Sequence, residues 1–229
     1  EGFGLENYRV TFQKLEGFDP YYRNSIVLAV AGTFLVLLVG SLAAYGLARF
    51  RFLGNRTIFL IFLLTIMVPA EVTLMGQFDL LLSIGLYSTL TGLGLSYVAG
   101  NLVLTIFLMR NVFASIPQDL VDAATIDGAS RWGVFWLVCL PVGANGLAAC
   151  AILTFLNIWN EFTFALTMTI SDKAMTLPVG ITLLQGQWSL QHTGALFATV
   201  MLSFLPMVVV FVLLQKYFVR GLTAGALKG

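Results

Sequence analysis

The sequence predicts an all-α polytopic membrane helix bundle. Three observations carry that expectation. The first is composition: of 229 residues, 59% are hydrophobic and 10% are charged, with a mean hydropathy of +0.92, whereas a soluble domain carries roughly 25% charged residues. The second is arrangement. The apolar residues come in long blocks rather than periodic stripes, which a water-soluble fold of this size could not hide. The third is the lack of alternation. Lipid admits only helices or closed barrels, and barrel strands alternate polar and apolar at every second residue.

Taken in order, five blocks have the length a bilayer needs, about 20 residues. The first spans 25–48 without a charge. The second spans 57–76 and contains Pro69 and Glu71. The third spans 88–109, the fourth 142–168, and the fifth 193–219 with Pro206 inside it. Lys and Arg collect on the cytoplasmic side of a membrane protein. If the segment after the first block is cytoplasmic, Arg49, Arg51, Arg56, Arg110, Arg131, Lys216, Arg220 and Lys228 lie inside, and Arg9, Lys14, Arg23 and Lys173 lie outside. That orientation makes 1–23 an extracytoplasmic segment and 220–229 a cytoplasmic tail. With Glu1 outside, the expected complement is six spans, five of them in this sequence.

Composition excludes several function classes. A net charge of +1 argues against nucleic acid, whose binding domains carry basic stripes. Cys139 and Cys150 lie in or beside apolar runs and are expected to be small buried hydrophobes. They form no disulfide framework and no metal spacing. There is no phosphate-binding Gly-x-x-x-x-Gly-Lys run, no metal-ligand constellation, and no Ser/His/Asp set. The chain is therefore expected to be no enzyme and to bind no cofactor or metal.

The longest cytoplasmic segment, 110–141, reads Arg-Asn-Val-Phe-Ala-Ser-Ile-Pro-Gln-Asp-Leu-Val-Asp-Ala-Ala-Thr-Ile-Asp-Gly-Ala from Arg110 to Ala129. Ser115 followed by Gln118 predicts a capping box, with Pro117 in the first turn. Asp119 suits the positive end of the dipole. A helix is expected from Pro117 to Ile126, ended by Gly128 in the left-handed conformation. Ser130 is expected to cap a second helix whose Trp132, Phe135 and Trp136 suit a membrane interface. The alternative is a plain solvated connection.

The pattern Asp122-Ala123-Ala124-x-x-Asp127-Gly128-Ala129, with Pro141 twelve residues on, resembles the EAA loop of permeases from binding-protein-dependent ABC importers. Asp122 stands where the family usually has Glu. The end of the chain from Gln215 to Gly229, Asn24-Ser25, Ala48-Arg-Phe-Arg-Phe52 and Trp159-Asn-Glu-Phe162 resemble the second permease of maltose-type carbohydrate importers. The resemblance implies the type I ABC importer transmembrane fold over 24–219 and a bacterial or archaeal plasma membrane. It implies three partners besides lipid: a second permease forming a heterodimer, a cytoplasmic ABC ATPase dimer that uses ATP and Mg, and an extracytoplasmic solute-binding protein. It also implies that the helix bearing Asp122, Ala123, Ala124, Asp127, Gly128 and Ala129 docks on the ATPase, and that the tail reaches toward it.

Ionisable residues inside a span cost about 2.5–3.5 kcal/mol on insertion scales, so they should face protein or water. In straight helices, Glu71 would lie roughly 21 Å past Thr57 and Glu161 roughly 30 Å past Pro141, both toward the outside. Asn157, Asn160 and Glu161 would share one face. Glu71, Asn157, Asn160 and Glu161 are candidates to line a path for sugar hydroxyls, and the alternative for Asn157, Asn160 and Glu161 is that they hold helices together. Trp159 and Trp188 suit interfacial anchors. The external loop 169–192 carries Asp172, Lys173, Pro178, Gln185, Gln187 and Trp188. The resemblance implies that this loop probes the cleft of the docked binding protein, and the alternative is a plain surface loop. His192, the only histidine, is expected to be incidental. Two other classes compete: an ion-coupled secondary transporter with Glu71 as its relay, and an intramembrane enzyme. The importer reading predicts uptake that vanadate abolishes and an uncoupler spares. The opposite pattern would favour ion coupling.

Overall fold

Proline, glycine and a few side-chain hydrogen bonds decide where the apolar blocks stop being straight helices. The structure, a computed structural model, describes residues 7–9, 11, 18–171, 173–188 and 193–226, and for 184–188 and 218–226 it describes the backbone alone. From residue 18 onward, the described elements are all helical. They are α1 (Phe18–Arg49), α2 (Asn55–Ile66), α3 (Ala70–Ser83), α4 (Leu90–Ala114), α5 (Gln118–Ile126), α6 (Arg131–Val142), α7 (Ala144–Trp159), α8 (Thr163–Met168), α9 (Leu177–Trp188) and α10 (Thr193–Ala226). By length and composition α1, α4 and α10 can each cross a membrane, and two bent pairs bring the number of spans to as many as five.

α1 is uninterrupted for 32 residues, with Asp19 in its first turn and Arg49 in its last, which complements its dipole at both ends. Asn55 closes it: its Nδ2 donates to the carbonyls of Leu47 (3.2 Å) and Phe50 (2.8 Å). Gly54, at φ +88°, then turns the chain into α2.

The expected second span is not one helix. α2 and α3 meet at 101° around Met67-Val68-Pro69. Pro69 lacks an N–H and keeps Val68 out of the helical region. Glu71 is consequently an exposed residue in the first turn of α3, and a depth counted along a straight helix does not apply to it. The fourth block departs from expectation at both ends. α6 and α7 are bent by 76° at Gly143, and α6 contains a π-helical turn over Phe135–Cys139. α7 ends at Trp159, and α8 begins separately at Thr163. The fifth block is continuous through Pro206 and reaches Ala226.

The chain divides into two units. One comprises 1–32, 70–97 and 155–211, the other 33–69, 98–154 and 212–229. In the first, Leu28, Ala29, Leu93, Tyr97, Phe155, Trp159 and Met168 form the core. In the second, Ala44, Tyr45, Met109, Phe113, Phe135 and Cys139 do so. Both cysteines are buried and unpaired, as their surroundings in the sequence predicted. Because lipid is as apolar as leucine, close packing rather than escape from water holds such clusters. Small residues make the approach possible. A Cβ on Gly40 would stand 2.8 Å from Thr105 Cγ2, and one on Gly146 would stand 2.6 Å from Val112 Cγ2. α2 has no buried residue and offers Ile58, Leu60, Ile61 and Leu64 to its surroundings.

The α4–α7 crossing gives a direct test. Gly146→Leu should lower stability by about 1–3 kcal/mol through overpacking, seen as a lower melting temperature in detergent. Gly100→Leu, where a Cβ meets nothing within 4 Å, should melt like the parent.

Candidate functional site

The segment 110–141 is built from the end of α4, the short α5 and α6. The predicted capping box does not form. The N-cap position of α5 is Pro117, which makes no side-chain cap. Ser115 instead belongs to the end of α4: its Oγ donates to the Val112 carbonyl at 2.8 Å, and its N–H reaches Asn111 and Val112. Arg49 takes over at the start of α5. Its Nη2 donates to the Ile116 carbonyl at 2.7 Å and its Nη1 to Gln118 Oε1 at 3.1 Å. Gln118 Nε2 donates onward to Asp122 Oδ1 at 2.9 Å.

The C-terminal end of α5 agrees with expectation. Gly128 has φ +87°. The Ala129 N–H donates to the Ala124 carbonyl and the Gly128 N–H to the Thr125 carbonyl, which is the Schellman pattern. Ser130 caps α6 by accepting from the Gly133 N–H at 3.2 Å.

No residue of α5 is buried. Asp122, Ala123, Asp127 and Gly128 are exposed. Ala124 and Ala129 are half-buried and pack against the Tyr45–Phe113–Phe135 core, so their small size serves the inner side of the helix. Two apolar residues outside the sequence motif lie on the outer side: Ile126 is 85% exposed and Leu120 is 47% exposed. They are the large apolar residues of α5 that the core does not take up, whereas Val121 packs inward. Trp132 and Trp136 are exposed. Phe135 is fully buried and departs from the interfacial expectation: it opens the π turn and packs in the core beside Tyr45.

The polar residues expected along a path are organised differently from a single helical face. With α7 ending at Trp159, Asn160 and Glu161 lie in the break before α8. Glu161 closes that break. Its Oε1 accepts from the Phe164 N–H at 2.7 Å and its Oε2 from the Ala165 N–H at 3.0 Å. The same Oε2 accepts from the Tyr97 hydroxyl at 2.6 Å. Tyr97, buried at 4% exposure, is a partner the sequence did not flag. Asn160 Nδ2 donates back to the Leu156 carbonyl at 2.8 Å. Asn157 and Asn160 are exposed and Glu161 is half-buried. Trp159 is no interfacial anchor. It is buried, stacked on Phe155 with centroids 5.9 Å apart, and its Nε1 donates to the Ser203 carbonyl at 3.1 Å.

The segment that begins at Thr169 is tied down at its base. Ser88, at φ +56°, accepts at Oγ from the N–H groups of Ile170 and Ser171, each at 3.0 Å. Asn24 Nδ2 donates to the carbonyls of Lys173 and Met175, each at 2.9 Å. Ser25 Oγ accepts from the Leu177 N–H at 2.8 Å. From Leu177 the chain forms a 12-residue helix, α9, where the sequence suggested loop. Gln185, Gln187 and Trp188 fall on its last turns, and their side chains lie outside the described residues, as do Asp172 and His192. Among the described residues no group of acidic, His or Cys side chains is arranged for a metal.

Comparison with known proteins gives a consistent answer. The family model described as "Binding-protein-dependent transport system inner membrane component" matches residues 22–224. The trehalose/maltose transport system permease protein of Thermococcus litoralis is 40% identical over 227 residues, covering 98% of this chain and 81% of that protein. The diacetylchitobiose uptake system permease protein of Streptomyces coelicolor is 33% identical, with 98% and 74% covered. The arabinooligosaccharides transport system permease protein of Bacillus subtilis is 32% identical, with 98% and 79% covered. A solved bacterial ABC transporter that imports alginate shares the fold, with a TM-score of 0.79 at 24% identity over 93% of this chain and 79% of that one.

The geometry around Glu161 separates its two readings. If it holds helices together, Glu161→Ala strands two N–H groups and a hydroxyl and should cost about 2–3 kcal/mol. Tyr97→Phe should cost less. Both would appear in melting curves of the purified protein. Parental melting combined with lost uptake would return Glu161 to the substrate path.

Proposed function

Because this chain belongs to the family of binding-protein-dependent transport system inner membrane components, we propose that it carries a sugar or oligosaccharide through half of a translocation path and takes its drive from a separate ATPase. It is the membrane-embedded permease of an ATP-driven importer. The solute class rests on its relatives, whose names specify trehalose/maltose, arabinooligosaccharides and diacetylchitobiose. A second permease completes the path, an ATPase dimer supplies ATP hydrolysis with Mg on the cytoplasmic side, and a solute-binding protein delivers sugar from outside. The C-terminus is cytoplasmic.

The observation that carries this reading is α5. It is a nine-residue helix with no buried residue, closed by a Schellman turn at Gly128. A solvated connection has no reason to hold this form, since loops of that kind gain nothing from ordering. A lever does. α5 offers Asp127, Ala123 and the apolar Leu120 and Ile126 to a partner. The carboxylate supplies a charged acceptor, and the apolar pair supplies the buried contact a stable interface needs. Movement of the docked ATPase then moves α5 and changes which side of the permease is open. On the path itself, the exposed amides of Asn157 and Asn160 suit sugar hydroxyls, which need both donors and acceptors. The Glu161 carboxylate already accepts three hydrogen bonds.

Gly128→Asp tests the lever. A side chain at φ +87° strains the turn by about 1–2 kcal/mol, and a second carboxylate beside Asp127 adds repulsion. The reconstituted importer should keep hydrolysing ATP while solute uptake falls to background. Uptake at the parental rate would overturn the assignment of α5.

A further inference from the structure

α5 has neither a buried residue nor a side-chain cap at its start. Joined to the rest only through the chain at its two ends, it would swing on Ile116-Pro117 and on the Gly128 turn. Val121 and Ala124 rest on the Tyr45–Phe113–Phe135 core, and the polar contacts that fix the two ends come from the last two turns of α1 and the residue after it. At the start of α5, Arg49 spans the junction: Nη2 donates to the Ile116 carbonyl (2.7 Å), and Nη1 donates to Gln118 Oε1 (3.1 Å). Gln118 passes the link to Asp122 Oδ1 (2.9 Å), so one oxygen of that exposed carboxylate is tied back to Arg49 through a single amide. Just beyond the far end of α5, the Tyr45 hydroxyl donates to the Arg131 carbonyl at 2.9 Å. The Arg131 guanidinium lies 5.3 Å from the centre of the Phe50 ring, which is edge-on to Tyr45 at 5.4 Å.

We propose that Arg49 is a positioning residue that clamps α5 to α1, with Tyr45 as the second jaw, so that a displacement of α5 is delivered to α1 as a rigid-body movement. The inference rests on the reading of α5 as the ATPase-docking helix and adds the route by which force leaves it. Arginine suits the task because its planar fork holds two acceptors at once in fixed geometry. Lysine at this position would hold one acceptor at a time. The Ala48-Arg-Phe-Arg-Phe52 motif thereby gains a function for two of its members, Arg49 and Phe50.

The test is a distance. Spin labels are placed at Val39→Cys, on an exposed position of α1, and at Thr125→Cys, on the exposed side of α5. The native cysteines are buried and do not compete for label. The chain is studied assembled with its partner permease and ATPase, nucleotide-free and with ATP plus vanadate. In the parent the distance should change by less than about 2 Å between the two states, the scale of a tight helix shift. In Arg49→Ala it should change by about 5 Å or more, or its distribution should at least double in width, while ATP hydrolysis stays within about twofold of the parent. If Arg49→Ala does not assemble, Arg49→Lys decides: it keeps the charge but loses the bridge, and its distribution should broaden. A parental distance that itself moves by a helical turn overturns the clamp, as does an Arg49→Lys or Arg49→Ala protein that behaves like the parent. Normal uptake by Gly128→Asp would instead remove the docking reading, and the nucleotide-free distance distributions would still report on the clamp.

Discussion

A bilayer core offers no water to a backbone N–H or C=O, so each break in a membrane helix has to be closed by the protein's own groups. That constraint explains more of this structure than hydropathy does. Where α7 gives way to α8, Glu161 accepts from the N–H groups of Phe164 and Ala165. Where α1 ends, Asn55 collects the carbonyls of Leu47 and Phe50. At the base of the segment that begins at Thr169, Asn24 holds two carbonyls, Ser25 one N–H and Ser88 two more. At the entry to α5, Arg49 holds the Ile116 carbonyl. The polar residues within and beside these apolar blocks are where the helices stop, and much of their chemistry is spent on stopping them.

This has a consequence for reading charged residues in transporters. An acid inside an apolar block invites assignment to the solute path or to an ion relay, because its insertion is costly. Glu161 satisfies that cost locally, through two backbone N–H groups and the Tyr97 hydroxyl. Glu71 avoids it differently: the 101° bend after α2 puts the residue at an exposed helix start, where the dipole favours a negative charge. Neither carboxylate needs a translocated ion to explain it, and this weakens the ion-coupled alternative on structural grounds.

The helical class, the position of the blocks, the Gly128 turn and the Ser130 cap were legible in the sequence because each depends on neighbours within a few residues. The failures share a physical cause. A Ser115 capping box and a continuous 142–168 span are both correct by local pattern, and in both a competing partner won. Ser115 was claimed by the end of α4, and the helix after Trp159 was interrupted by Glu161 acting with Tyr97, 64 residues away. Trp159 suits an interfacial anchor by residue type, and its indole N–H needs a partner. That partner is the Ser203 carbonyl, 44 residues away, and nothing in the local sequence indicates it. The Arg49 contacts to Ile116 and Gln118, 67 and 69 residues away, were invisible for the same reason.

A lever is useful only if its fastening exceeds the free energy it must deliver. Moving a two-state permease from almost wholly closed to almost wholly open on one side takes about 5.5 kcal/mol of differential interaction. One charge-assisted hydrogen bond contributes about 1.5–3 kcal/mol, which is too little alone: a helix held by one such bond would detach before the permease switched. The fork of Arg49, the Tyr45 hydroxyl on Arg131, and the packing of Ala124 and Ala129 against the Tyr45–Phe113–Phe135 core act together on α5 and the turn that joins it to α6. They have to act at both ends, because a helix fixed at one end rotates under load instead of pulling. The pairing of an exposed outer side on α5 with a doubly anchored inner side is therefore what a coupling element requires, and a passive loop would need neither.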